Sequence, residues 1–379
     1  MKLSSRPLRV GVVSTAQTVL KPAWSGAQHI DLIASVVQRA LKGCGLRIVD
    51  VDFVIDSGSD VLDGRSISNC GFLGAMGAHH KEESRVEDDG LWAALYATTK
   101  IASGAADVGL VIAYSKPSES DAGKFYSTMA DPFYQRPVGL DDITASGLLA
   151  QRYLRQHGLK EEVLAEVAAS AWQRASTNSN VEIAAAPSRD EIMASALLAA
   201  PIRKLMMSRA VDGAVAMVLA NEKVARRVAA KPVWITGMGM AMEGNVFAMR
   251  DAGLAACETA ARKAYAKAGV EPQRIGLAEC SATSTVGELM TLEALGLAER
   301  GRAIDLIRGA RGNTINRSGG ALPADPIMAT GLVRLAEAVE QLQAPGAAGA
   351  AGAVAASNAV VHAASGIGAQ SHCVFVVEV

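Results

Sequence analysis

Three acids, Glu87, Asp88 and Asp89, stand side by side just before the stretch GLWAALYATTKIA. Carboxylates at such a place can do two things. They can accept hydrogen bonds from the free N–H groups of a helix that starts there and suit its dipole, each worth about 0.3–1 kcal/mol. Or one of them can meet a second carboxylate away from water, so that one keeps its proton and the couple supplies an acid and a base. No Cys, Ser or Lys lies between Val86 and Ala94, so this helix start carries no ordinary nucleophile.

The other reactive side chains are thinly spread. The five cysteines, Cys44, Cys70, Cys257, Cys280 and Cys373, are scattered and odd in number. No two share a metal-like spacing, which fits reduced thiols. His79 and His80 lie in the polar run GAHHKEES, read as solvated loop with no partner ligand at a suitable distance along the chain. No metal site is expected. His362, in NAVVHAASG, is on a strand that leads into a glycine-containing loop, where it either packs or reaches a pocket. His372, on the last apolar run, is expected to pack. GNTINRSGG, from Gly312 to Gly320, lets a ligand approach the backbone or simply makes a turn.

Placing these groups takes a large core. The chain has 379 residues and is 50% hydrophobic, enough for two domains or one duplicated unit. Its net charge is −1 with no block of like charge, which points away from nucleic acid and membrane surfaces. The apolar run near the N-terminus is short and continues as a first strand, so no signal peptide is read. No stretch approaches the ~18–20 apolar residues of a membrane span. A cytoplasmic protein is expected.

Leu8 to Val13 is a strand candidate, Asp31 to Lys42 a helix closing at Gly43, and Val51 to Ile55 a buried strand. A helix from Gly90, with Leu91, Leu95, Thr98 and Ala102 along one side, runs into the strand VGLVIAY. The order then repeats. Val233 to Thr236 is a strand, Ala252 to Ala268 an Ala-rich helix closing at Gly269, and Ile275 to Ala278 a strand. The joints read alike, VDFVIDSG and IGLAECSA, and SGGALPADPIMATGLVRLAEAVEQL places a long helix where the first half has the helix after Gly90. This alternation predicts an α/β protein of layered sheets and helices. The predicted division is 1–115 plus 208–228 for the first half, 116–207 for an inserted loop domain, and 229–379 for the second half. The insertion holds KFYSTMADPFYQRP, whose Phe125, Tyr126, Phe133 and Tyr134 suggest a packed loop. It also holds helices at Asp141 to Gln156 and Glu161 to Ser176. AVDGAVAMVLA, from Ala210, returns as a strand to the first half. QAPGAAGAAGA is linker.

In this order, ASGAADVGLVIAYSKPSES, SRAVDGAVAMVLANEKVAR, AECSATSTVGELMTLEALGL and NRSGGALPADPIMATG resemble the thiolase superfamily, in particular its sterol-carrier-protein-type branch. The last segment is similar to the family's NxxGGAxxxGHPxGATG. The resemblance implies a five-layer α/β/α/β/α fold of duplicated halves, with the helices starting near Gly90 and Ala329 side by side in the middle. It implies a coenzyme A thioester as substrate, no tightly bound cofactor, and a role in lipid metabolism. It also implies a homodimer or larger assembly that buries SISNCGFLGAMG, Ser66 to Gly77.

The family's chemistry does not follow. Its nucleophilic Cys falls on Glu87, its SG pair on Asp89 and Gly90, and its GHP histidine on Asp325. Its His or Asn motif falls within Ser281 to Ser284, and its second Cys near Ala363, Ala364 and Ser365. Glu87 and Asp325 are therefore expected as paired carboxylates on a pocket floor, with His362 as a third candidate. Asp89, Gly90, Ser281, Ser284, Gly319, Gly320, Ser365 and Gly366 are expected around the coenzyme A thioester. Cys280 and Cys373 are read as spare buried thiols. Two readings of function compete: carbon–carbon bond cleavage or formation without an acyl-cysteine, as in thiolase-like aldolases, or a non-catalytic subunit partnering an active thiolase or a zinc-ribbon/OB-fold protein. An ordinary acyltransferase is opposed by the missing cysteines. An enclosed pocket with a way out favours the enzyme, and a plugged one the scaffold.

Overall fold

The structure is a computed structural model that describes residues 8–250, 253–344 and 356–379. Most of the small-residue linker and the first seven residues lie outside the described residues. Nine strands form the main sheet: β1 Val10–Gln17, β2 Phe53–Ser57, β3 Glu82–Val86, β4 Val108–Ser115, β5 Gly213–Asn221, β6 Val233–Met242, β7 Leu277–Cys280, β8 Asn358–Ser365 and β9 Ser371–Glu378. The helices that matter here are α1 His29–Gly43, α2 Gly90–Ala102, α3 Ala122–Met129, α4 Asp142–His157, α5 Glu162–Ala175, α6 Ala255–Ala268, α7 Thr285–Ala294 and α8 Thr330–Gln343.

The strand order is β3-β2-β4-β5-β1-β6-β9-β8-β7. In the first half β2 runs parallel to β3 and β4, and β5 and β1 follow antiparallel. In the second half β7 runs parallel to β8, and β9 and β6 follow antiparallel. So β1, β2, β4 and β5 match β6, β7, β8 and β9, and β3 has no counterpart. The halves are stitched by β1 against β6, through Val10↔Ile235, Gly11↔Trp234 and Val12↔Val233.

Burial sets the layers. The buried side of α1, Leu32, Ile33, Val36, Val37, Ala40 and Leu41, follows the helical period and packs on the outer face of the first half. The left-handed residue after this helix is Gly45, φ +67°, rather than the expected Gly43. On the far side α6 covers β6 and β9 and closes at Gly269, φ +66°. Between the two half-sheets lie α2 and α8. The expected single stripe on α2 is too narrow: Leu91, Trp92, Ala93, Ala94, Ala97, Thr98 and Ile101 are all buried, because this helix has protein on nearly every side. The molecule thus has five layers, α/β/α/β/α, with one central pair of helices.

That pair is close because two glycines allow it. A Cβ on Gly90 would stand 2.7 Å from Leu332 Cβ and 2.8 Å from Ala113 Cβ. One on Gly331 would stand 2.5 Å from Ala363 Cβ. Between β4 and β5 the chain forms α3, α4, α5 and a small hairpin, Leu197–Ala199 with Ile202–Arg203. Helices α5 and α7 bury Val163, Leu164, Val167, Trp172, Leu289 and Leu292 in one cluster. The aromatic loop divides. Phe125 and Tyr126 pack inward, while Phe133 and Tyr134 are 78% and 83% exposed and do not form the packed cluster their number suggested.

Candidate active site

Four helix N-termini converge on one narrow slot. Asp89 is the N-cap of α2, Asp142 opens α4, Ser284 is the N-cap of α7, and Asp325, Ile327 and Met328 lead into α8. The rest of the wall includes Phe125, Tyr126, Met129, Leu149, Ser281, Thr283, Ser365 and Gly366. About 60 Å³ is open to a water-sized sphere, room for roughly four to six waters. Leu149 and Gly368 also line a second groove of about 280 Å³ at the surface, beside Leu148, Arg152, Phe247 and Arg250. The slot is small, and Leu149 and Gly368 stand between it and the surface groove.

Asp89 is buried, 4% exposed. Its Oδ1 accepts the N–H of Leu91 at 2.8 Å, and its Oδ2 accepts the N–H of Gly331 at 2.8 Å. One side chain thus caps both central helices. Burial, with Asp88 and Asp325 nearby, pushes its carboxyl up to about 8 against the pull of those two N–H groups. Asp325 is also buried, and burial raises it; three hydroxyls oppose the rise. Ser208 Oγ donates to Oδ2 at 2.8 Å, Tyr126 OH to the same oxygen at 3.5 Å, and Thr330 Oγ1 to Oδ1. Asp142 is pushed up to about 7 by burial, with Thr283 beside it drawing it down. Burial, Asp325 and Asp142 hold the Tyr126 phenol well above its ordinary value. Asp88 is partly buried next to Ser365 and raised by desolvation.

The slot thus gathers three buried carboxyls and a phenol. Among the residues lining it there is no Cys, His, Lys or Arg. Compensating positive charge comes from the peptide dipoles of the helix starts and from the buried guanidinium of Arg334, which acts on Asp325 from behind the wall.

Several expected residues lie elsewhere. Glu87 does not face the slot. It follows directly on the end of β3, its side chain is 52% exposed, and its Oε1 accepts the N–H of Asp60 at 2.9 Å. The acid turned inward is two residues further on, at the N-cap. His362 also points away. Alternation along β8 turns Ala363 toward Gly331 in the central layer and His362 toward α6, where its Nε2 lies 3.0 Å from His372 Nδ1. Gly90, Gly319 and Gly320 serve packing and turning instead of lining the slot. Gly319 has φ +101°, and a Cβ there would stand 2.5 Å from that of Ala175. Asp89, Ser281, Ser284, Asp325, Ser365 and Gly366 do line it. Cys280 and Cys373 are buried thiols pushed well up by desolvation. Asp142 and Tyr126 were not foreseen, although GLDDITASG carries the same acid-before-helix signal as VEDDGLWA.

This architecture defines a thiolase-fold protein, and comparison with known proteins agrees. Residues 239–378 match the model of the family described as thiolase C-terminal domain-like. The acetyl-CoA acetyltransferase of Methanocaldococcus jannaschii is 25% identical over 352 residues, 88% of this chain and 90% of that protein. The 17-hydroxy-3-oxo-4-pregnene-20-carboxyl-CoA lyase of Mycobacterium tuberculosis is 26% identical over 348 residues, 84% of this chain and 88% of that protein. Among solved structures, the Ltp2-ChsH2(DUF35) aldolase superposes with a TM-score of 0.81 at 22% identity, covering 98% of both chains. Human mitochondrial 3-ketoacyl-CoA thiolase superposes with 0.75 at 16% identity, again over 98% of both. Residues 239–378 thus carry a thiolase C-terminal domain-like unit, and nearly the whole chain is similar to proteins of the thiolase superfamily, which are named for reactions of coenzyme A thioesters.

Proposed function

We propose that this protein breaks or forms a carbon–carbon bond in a coenzyme A thioester by carboxyl acid–base chemistry, with no acyl-cysteine. The observation that carries this reading is the slot itself: carboxyls and a phenol under four helix N-termini, with no cysteine on its wall. In the cleavage direction a base takes the proton of a β-hydroxyl. The O–H electron pair becomes the new carbonyl bond, the C2–C3 pair becomes a thioester enolate, and an acid then protonates C2. Asp142, pushed up to about 7, suits proton exchange near neutral pH. Asp325, held by three hydroxyls, is its counterpart. The helix starts favour the negative charge that develops on the enolate. The thioester enters by the groove beside Leu148, Arg152 and Phe247.

The direct test is product analysis with a panel of 3-hydroxyacyl- and 3-oxoacyl-CoA compounds, alongside Asp142→Asn and Asp325→Asn. Intact mass after incubation with acetyl-CoA or acetoacetyl-CoA should be unchanged. A stable cysteine adduct would refute the reading.

A second reading has one observation in its favour. Both oxygens of Asp89 are used by backbone N–H groups, a purely structural duty that a scaffold would also need. In this reading the chain partners an active thiolase or a zinc-ribbon/OB-fold protein; the Ltp2-ChsH2(DUF35) aldolase is by its name an assembly of two components. A pull-down from native extract, with both substitutions silent in the assembled activity, would favour it.

A further inference from the structure

Behind the slot, on the opposite face of β8 and β9, three side chains meet in the core. Cys257 comes from α6, His362 from β8 and His372 from β9, and one ligand atom from each lies within 4.8 Å of the others. All three are 0% exposed. The two imidazoles meet through one nitrogen of each, with the backbone of Ser281 and Ala369 beside the rings. His362 Nε2 and His372 Nδ1 face each other at 3.0 Å, but His362 Nδ1 and His372 Nε2 are buried with no partner. In a neutral pair one ring donates and the other accepts, and an ion held by one nitrogen of each ring would take the place of that contact.

We infer that Cys257, His362 and His372 form a site for one thiophilic d-block metal ion, with Cu⁺ as the ion that fits. Distance, coordination number and charge all bear on this. Metal–thiolate and metal–imidazole bonds of about 2.3 and 2.0–2.1 Å put the ligands of one ion about 3.3–3.8 Å apart, a small movement from the arrangement present. Among the described residues no fourth His, Cys, Asp or Glu joins the cluster. Three ligands including a thiolate suit a soft monovalent ion. On binding, the Cys257 thiol releases its proton to solvent, so Cu⁺ and thiolate leave no net charge. A divalent ion would leave one positive charge buried where Arg250 already acts on His372, and Glu243 and Glu258, which act on Cys257, would have to offset it. The site pins α6 to the β8–β9 hairpin. It also backs the slot, because the carbonyl of His362 accepts the N–H of Ser281 at 3.0 Å. Its role is structural and does not depend on which reaction the slot performs.

The test uses the full chain, unfolded with chelator and refolded without oxygen in Cu⁺ buffered by bicinchoninate, or in Zn²⁺. Metal retained after desalting and the thermal midpoint are then measured. The expected result is one equivalent of Cu⁺ and a midpoint that rises with its free concentration. Binding should be about tenfold or more weaker in Cys257→Ser and in His372→Phe. Should the histidine variant fail to fold, Cys257→Ser, which changes one atom, decides the matter. No retained copper, equal retention in Cys257→Ser, or a preference for Zn²⁺ would overturn the inference.

Discussion

Asp142 and Asp325 share a slot but not their surroundings, and this difference decides what substitution should do. Asp325 accepts from three hydroxyls, while Asp142 is the acid left near neutrality. In an active enzyme, Asp142→Asn or Asp325→Asn should each lower kcat by about 10²–10⁴-fold, with the fold intact by circular dichroism. Glu87→Gln should leave turnover unchanged, since that side chain is half in water. Asp89 makes a different prediction. Its carboxyl is pushed up to about 8 in the folded state, while the unfolded chain ionises near the ordinary 3.8. Between those values the folded state holds a proton that the unfolded state has lost, so stability falls as pH rises from about 4 to about 8. Asp142, at about 7, acts in the same direction. Denaturant unfolding at several pH values should show this slope, and Asp89→Asn should flatten it. The sequence placed an acid at this helix start but chose the wrong one of three. Neighbouring residues leave the backbone in different directions, and composition alone does not say which turns inward.

Helices α2 and α8 were legible as elements because each begins after a readable signal, a run of acids or a glycine-rich loop, and continues in small and apolar residues. The inserted helices were legible too: Asp141 to Gln156 was expected, and Asp142–His157 is observed. How tightly the central pair packs was not legible, since Gly90 and Gly331 read as ordinary loop and motif glycines. A Cβ on Gly331 would stand 2.1 Å from Asp89 Oδ1, with little room for either to move. Gly331→Ala should therefore destabilise by about 1–3 kcal/mol or more, as overpacked cores do, read as a lower denaturant midpoint at constant slope. The Phe133 and Tyr134 side chains show the limit of counting aromatics. Nothing in KFYSTMADPFYQRP says which two of its four rings point inward.

One sheet spans both halves, and β3 ends it with its outer edge unpaired among the described residues. Arg85 of that strand is turned inward to Asp56, Asp60 and Asp63, at 3.0, 2.9 and 3.4 Å, which ties the strand to the residues beside it. An edge of this kind invites another chain. Light scattering at micromolar concentration should give a dimer or larger; a monomer would refute it. The duplicated architecture was readable from four ordered motifs, whereas Cys257, His362 and His372 were not, because over a hundred residues separate the first from the others. The duplication also bears on Asp89. Leu91 and Gly331 are each the second residue of their helix, and these helices are equivalents in the two halves. The two oxygens of Asp89 take one N–H from each of these equivalent helices. Only one half can supply such a group. The position matching Asp89 is Ala329, the residue just before α8. Aspartate in both places would crowd two carboxyl groups onto the same two N–H groups, so the repeats differ there. Exchanging the two, Asp89→Ala with Ala329→Asp, should recover part of the unfolding midpoint that Asp89→Ala alone loses.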